Sequence, residues 1–297
     1  MRIGIDLGGT KTEIIAMDEG HRVLLRRRID TPQKDYQGAI QIIAGLIEGV
    51  ESELGMQGSV GMATPGAISP ATGLIKNANS TCLNGHPFDK DLAAALGREI
   101  RIANDADCFA LSEAVDGAAA NAGTVFGVII GTGTGGGIVV NGQLLNGPNA
   151  IAGEWGHNPL PWPRQDEFPG HDCYCGKKGC IETYLSGPGL SRQHQEKFGE
   201  QLKAGEIVQN AGQGNGPAEE SLLQYEDRMA RALASIINVI DPHVIVLGGG
   251  LSNISRLYNN VPAIWGQYVF SDRVDTRLVQ AKHGDSSGVR GAAWLWD

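Results

Sequence analysis

The chain has 297 residues, 41% of them hydrophobic, and a formal net charge of −9, enough apolar material for one large domain or two ordinary ones. Acidic residues are dispersed and the one basic run is Arg26-Arg27-Arg28, placed at the end of a strand, so no nucleic-acid partner is expected. No apolar window approaches the length of a membrane span, and MRIGIDLGGT opens into a strand pattern rather than a signal peptide, so a cytoplasmic protein with no membrane partner is expected.

In chain order, residues 2–7 are apolar at alternate positions, Gly8-Gly9-Thr10 interrupts them, and 12–17 resumes the pattern. Residues 2–28 therefore read as strand, turn, strand. The spacing of Ile40, Ile43, Ala44, Ile47, Val50 and Leu54 predicts an amphipathic helix over 36–54. A short strand at 60–62 runs into the turn Thr64-Pro65-Gly66. A helix over 88–96, a strand over 100–103 closed by Asn104-Asp105-Ala106-Asp107, and a helix over 107–115 follow.

The same syntax then repeats. Residues 124–130 read as a strand, 131–137 as a glycine turn, and 138–140 as a strand ending in the hairpin signal Asn141-Gly142. Residues 143–190 are rich in Gly and Pro and read as irregular. A long helix over 222–240, a strand over 244–247, Gly248-Gly249-Gly250 and a closing helix over 286–297 complete the chain. Two units that open alike predict a duplicated α/β architecture with a cleft between a small domain, 1–117, and a larger one, 118–285. The last helix is expected to cross back to the first.

Glycine is the outstanding count, at 43, and it clusters beside apolar runs. Asp6-Leu7-Gly8-Gly9-Thr10-Lys11 joins a carboxylate, a bare turn, a hydroxyl and an ammonium. Such a turn lets backbone N–H groups approach an anion, and Asp6 at the strand end is placed to hold a hydrated Mg²⁺; the same residues also suit an ordinary hairpin. Residues 131–137, GTGTGGG, contain G-x-G-x-x-G, but a strand and not a helix follows, which excludes the dinucleotide fingerprint and leaves a phosphate-cradling loop. No P-loop motif occurs. Gly248-Gly249-Gly250 offers a flat surface for a base or ribose, and together the turns favour a nucleotide.

Asn104-Asp105 stands at a strand end, where α/β folds place their chemistry. Asp105 is placed to accept a proton from a substrate hydroxyl while Asn104 orients the substrate, although helix capping would also explain the aspartate. Asp107 reads as the cap of the next helix. Glu154, His157 and Glu182 are of the types that bind neutral polyols.

Three of the five cysteines fall in CYCGKKGCIE, residues 173–182. Cys173-x-Cys175 is too close for a relaxed disulfide and is no C-x-x-C redox motif. Cys173, Cys175 and Cys180, with His157 upstream, make a Cys₃His set of the structural zinc type. Cys82 and Cys108 read as core residues.

These motifs together resemble the ROK family of sugar kinases and sugar-responsive repressors, in the hexokinase–actin superfamily. The likeness runs from Asp6–Lys11 through Asn104-Asp105, residues 131–137, Glu154-x-x-Gly-His157, the cysteine segment and Gly248–Gly250 to His283-Gly-Asp285. Within the family, residues 76–81 (KNANST) and the tail from His283 most resemble the bacterial fructokinases, the manno(fructo)kinases among them. The resemblance implies a two-domain actin-like ATPase fold, ribonuclease H-like in each half, and transfer from ATP with Mg²⁺ to the 6-hydroxyl of a hexose. D-fructose would be the first substrate; mannose, glucose or N-acetylglucosamine are the alternatives.

By position, Asp105 would be the base, with Gly66, Asn79, Asn104, Glu154, His157 and Glu182 around the sugar. Asp6, Gly8, Gly9, Thr10, Lys11, Thr132, Gly133, Gly248 and Gly249 would serve nucleotide and metal. A homodimer is expected by resemblance alone. Ala63 stands where relatives carry a glycine. The sugar-sensing regulators of the family have a helix-turn-helix ahead of the first strand; here the strand pattern begins at Arg2, so an enzyme is expected.

Overall fold

In the computed structural model, residues 1–32, 35–78, 80–284 and 287–296 are described. The first half comprises β1 (Arg2–Leu7), β2 (Lys11–Met17), β3 (Val23–Asp30), α1 (Tyr36–Leu54), β4 (Ser59–Thr64), β5 (Ala67–Ile68), β6 (Ile75–Lys76), α2 (Phe88–Leu96), β7 (Arg101–Asn104) and α3 (Asp105–Val115). The second comprises β8 (Thr124–Ile130), β9 (Thr134–Val140), β10 (Gln143–Leu144), α4 (Glu182–Leu185), α5 (Gly187–Phe198), α6 (Ala204–Gly212), α7 (Gly216–Ile240), β11 (Val244–Gly248), α8 (Leu257–Trp265) and β12 (Arg277–Gln280). The helix α9 (Ser287–Ala293) closes the chain.

The repeated syntax has a structural counterpart. One five-stranded sheet runs β3-β2-β1-β4-β7 and the other β10-β9-β8-β11-β12. In each, two antiparallel pairings precede two parallel ones. Apolar side chains from each sheet meet their own helices: Ile5, Ile14, Ile43, Ile47 and Met62 in one core, Val128, Met229, Leu233, Ile245 and Val261 in the other. A third core, with Phe109, Val125, Val246, Val289 and Trp294, lies between the sheets around α3 and α9.

The last helix does cross back, packing on β1, β4 and α3. Its approach is set by missing side chains. A Cβ on Gly291 would lie 1.6 Å from the carbonyl oxygen of Cys108, and one on Gly61 1.9 Å from that of Ala292. Backbone atoms cannot yield as side-chain tips do, so Gly291→Ala is expected to cost about 3 kcal/mol or more. The urea midpoint of the variant checks this; an unchanged midpoint would mean α9 is not packed so closely.

Several elements differ from the sequence reading. Arg26-Arg27-Arg28 lies inside β3, not at a strand end, with Arg26 and Arg28 paired to buried Glu13 of β2. The 143–190 stretch holds β10, α4 and the start of α5. Gly187-Pro188-Gly189 looked like loop, but Ser186 caps α5 by accepting from the Gly189 N–H at 3.1 Å, and proline in a first turn lacks only a donor that would go unused. Likewise α7 starts at Gly216, capped by Asn215. The elements α6, α8 and β12 are not anticipated in the sequence reading; α6 and α8 are short amphipathic helices of nine residues each.

Candidate active site

Parallel pairing sets Asp6 beside Ala63 and Thr64 beside Asn104. The ends of β1, β4 and β7 thus present Asp6, the Gly66 turn and Asn104-Asp105 along one edge. Gly66 has φ 76°, and a Cβ there would lie 2.3 Å from the Lys76 carbonyl oxygen. Its own carbonyl accepts from Asn104 Nδ2 at 3.0 Å. Asn104 Oδ1 accepts from the Ala106 N–H at 2.9 Å, which makes Asn104 the N-cap of α3. The expectation that Asp107 caps this helix is therefore corrected: Asp107 lies within its first turn. The Asn104 side chain also hydrogen-bonds the Asp105 carboxyl. The Ala63 methyl is buried with Cys108 and Ala292, away from the turn.

Asp105 opens α3 and is reachable from the cleft, although protein surrounds it on its other sides. Burial raises its pKa above the ordinary carboxylate range and the charge of Glu154 adds to that, while the Ala106 N–H, 2.8 Å from Oδ1, pulls it back. Burial likewise pushes Asp6 up to about 7, helped by Asp105 and Glu13 and opposed by Arg28. Asp107 is pushed up to about 7 by burial and then by Glu154 and Asp105. Carboxyls that raise one another in this way form a floor that suits a divalent cation, so the residues present fit Mg²⁺. Asp107 was not foreseen here; its position two residues after Asp105 was the available signal.

A cavity of about 490 Å³ is lined by Asn104, Asp107 and Glu154 together with Ile68, Leu145 and Ile151. Asn79 lies outside the described residues.

Glycine turns stand at strand ends in both halves. In the first, the Gly8 N–H donates to Lys11 O at 3.0 Å and Thr31 Oγ1 donates to Gly8 O at 2.8 Å, with Gly9 and Thr10 exposed. Lys11 Nζ forms an ion pair with Asp30. In the second, the turn is shorter than expected: β8 ends at Ile130 and β9 already begins at Thr134, so Gly131, Thr132 and Gly133 are the turn and the later glycines are strand. They serve packing. A Cβ on Gly137 would lie 2.6 Å from Ala106 O, so α3 could not seat against β9 with any larger residue there.

The three-glycine platform also narrows. Gly248 ends β11 against the Phe109 ring, where a Cβ would lie 2.3 Å away, and Gly249 turns the chain at φ 80°. Gly249 and Gly250 remain exposed, and Gly250 adjoins the second turn at Gly131.

The cysteine segment is brought to His157 by a short ribbon. Leu160 N–H donates to Gly179 O and Ile181 N–H to Asn158 O, both at 2.9 Å. The ligand atoms of His157, Cys173, Cys175 and Cys180 all lie within 4.8 Å of one another. Cys175 Sγ and Cys180 Sγ are 3.6 Å apart, and His157 Nδ1 is 3.5 Å from Cys173 Sγ. Thiolates at about 2.3 Å from a tetrahedral ion would be about 3.8 Å apart, so the chemistry and grouping of this donor set fit zinc. Cys180, pushed up to about 12 by burial and then by the neighbouring thiols, would give up its proton only to such an ion.

His157 Nε2 lies 2.9 Å from the hydroxyl of Tyr174, which the sequence reading had not singled out. Glu182 Oε2 accepts from the Thr134 N–H at 2.9 Å. The residue two positions beyond the last cysteine therefore ties the cysteine segment to the second glycine turn.

Two sheets of one topology, glycine turns at facing strand ends and an acidic floor between them define an actin-like ATPase fold. The ROK family model matches residues 2–297, and the chain belongs to that family, as a sugar kinase of the hexokinase–actin superfamily. Among curated relatives, it is 41% identical to the N-acetyl-D-glucosamine kinase of Vibrio atlanticus and 40% to that of Photobacterium profundum, with 99% of each chain covered in both comparisons. Among solved structures, the ROK hexokinase of Thermus thermophilus superposes with a TM-score of 0.88 at 31% identity, over 99% of this chain and 96% of that one. A ROK glucokinase of Streptomyces griseus, in complex with glucose and AMPPNP, gives 0.77 at 25% identity, over 99% and 98%. No helix among the described residues is long and apolar enough to cross a membrane.

Proposed function

We propose that this protein transfers the γ-phosphoryl group of ATP to the 6-hydroxyl of a hexose, with Asp105 as the base. The observation that carries the reading is the placement of Asp105: a reachable carboxyl at the start of α3, on the edge shared by Asp6 and the Gly66 turn, and within the field of Glu154. Asp105 would take the hydroxyl proton as the oxygen attacks phosphorus. Asn104, the Gly66 turn, Glu154, His157 and Glu182 would hold the sugar, and Asn79 joins them by resemblance alone.

The turns at Gly8–Lys11, Thr132-Gly133 and Gly248-Gly249 would face the nucleotide, with Asp6 toward Mg²⁺. Bound there, the cation supplies charge neutralisation for the transferring phosphoryl group. Zinc, held by His157, Cys173, Cys175 and Cys180, would be structural. Division of the chain into domains 1–117 and 118–285, with the last helix joined to the first, is part of the proposal, as are a homodimer and a cytoplasmic setting.

For the sugar, N-acetylglucosamine is the first reading. The relatives at 40–41% identity carry that specificity in their names, and the mixed polar and apolar cavity lined by Asn104 and Glu154 has the size for an acetamido group. D-Fructose is the second, favoured by the resemblance of residues 76–81 and of the tail from His283. A panel of N-acetylglucosamine, fructose, mannose and glucose with Mg·ATP tests both. The highest kcat/KM is expected on N-acetylglucosamine; a fructose preference would reverse the order of the readings, and no turnover on any hexose would refute the kinase.

A further inference from the structure

We propose that Tyr174 gates the sugar site, its hydroxyl holding the ring nitrogen of His157 that a substrate hydroxyl must take. The inference rests on the kinase reading above, in which His157 contacts the sugar.

The Tyr174 hydroxyl lies 2.9 Å from His157 Nε2, and the rings meet edge to face with centroids 5.0 Å apart at 89°. The other ring nitrogen, Nδ1, faces Cys173 Sγ at 3.5 Å. With Nδ1 given to a metal, the one ring proton resides on Nε2, which can then only donate. A single N–H makes one strong hydrogen bond. Tyr174 and a sugar hydroxyl therefore exclude each other at this atom.

Tyr174 is built to leave. It is 83% exposed, held by its edge-to-face contact and hydrogen bond to His157, while its backbone lies between two thiol ligands, Cys173 and Cys175. In the sugar-free protein the phenol thus stands in for a substrate hydroxyl. Sugar binding exchanges one hydrogen bond for another, and the affinity observed is lowered by the fraction of molecules in which the gate is closed.

Tyr174→Phe removes the hydroxyl and keeps the ring. Titration of the sugar into the zinc-loaded variant without ATP is expected to give a Kd lower by about threefold to tenfold, as loss of one neutral hydrogen bond from the closed state implies. KM for the sugar should fall in step, with kcat, KM for ATP and zinc per chain unchanged. Tyr174→Ala should give the same gain. An unchanged or weaker sugar affinity in the phenylalanine variant, with zinc retained, overturns the gate, and a loss confined to the alanine variant would make the ring a wall of the pocket instead. A wild-type protein that binds no hexose refutes the kinase reading and the gate with it.

Discussion

Asp105→Asn is expected to lower kcat by about a hundredfold to ten-thousandfold, the range of a positioned general base, while the sugar Kd stays within about threefold. The exchange is nearly isosteric, and an amide oxygen at the same place still accepts from the Ala106 N–H, so α3 keeps its start. What is lost is the capacity to take a proton. Steady-state kinetics with calorimetric sugar titration separates the two quantities; near wild-type turnover would remove Asp105 from the chemistry.

The wild-type pH profile carries the same assignment. A base works only when ionised, so kcat/KM must rise as pH passes its pKa. Burial first, and then Glu154, raises that pKa, so the acidic limb should lie above the ordinary carboxylate range of about 4. The limb should shift or flatten in the asparagine variant, leaving only the part contributed by Asp6 and Asp107, both pushed up to about 7.

Removing the metal is the second large effect. Cys180→Ser, or extraction of zinc with a chelator, should lower the melting temperature by about 10 °C or more, since a structural ion contributes several kcal/mol and about 2–4 °C accompanies each at this size. Sugar affinity should fall by about tenfold to a hundredfold. His157 loses the ligand that orients its ring, and Glu182 loses its anchor two residues beyond Cys180. ATP affinity should fall less than sugar affinity, because the first glycine turn is braced by Thr31 and Lys11 and the second loses only its Glu182 contact at Thr134. Full sugar affinity in the metal-free protein would show that the cysteine segment is no part of the pocket wall.

Residues whose chemistry is local were legible in the sequence. Asp6 with its glycine turn, Asn104-Asp105, and the spacing of Cys173, Cys175 and Cys180 each suggest a role within a few positions, and the structure brings the first two to neighbouring strand ends and the cysteines to His157. The repeated strand, turn and strand likewise foretold two sheets of one topology. What stayed hidden depends on partners distant in sequence. Gly137 looks like a turn residue until Ala106 is seen against it, and Gly248 until Phe109 is. Nothing beside Asn104 says that its amide reaches Gly66, nor that it caps the helix in place of Asp107. Tyr174 reads as filler between two cysteines until folding turns its hydroxyl onto His157. Asn79, placed at the sugar by resemblance, lies outside the described residues.

The most direct measurement follows the phosphorus itself. Phosphorus NMR of the purified wild-type protein with Mg·ATP and a hexose should show the γ signal replaced by a phosphate ester split by the two protons of a primary carbon, in step with ADP. ATP decaying only to inorganic phosphate, or an ester coupled to a single anomeric proton, would contradict transfer to the 6-hydroxyl.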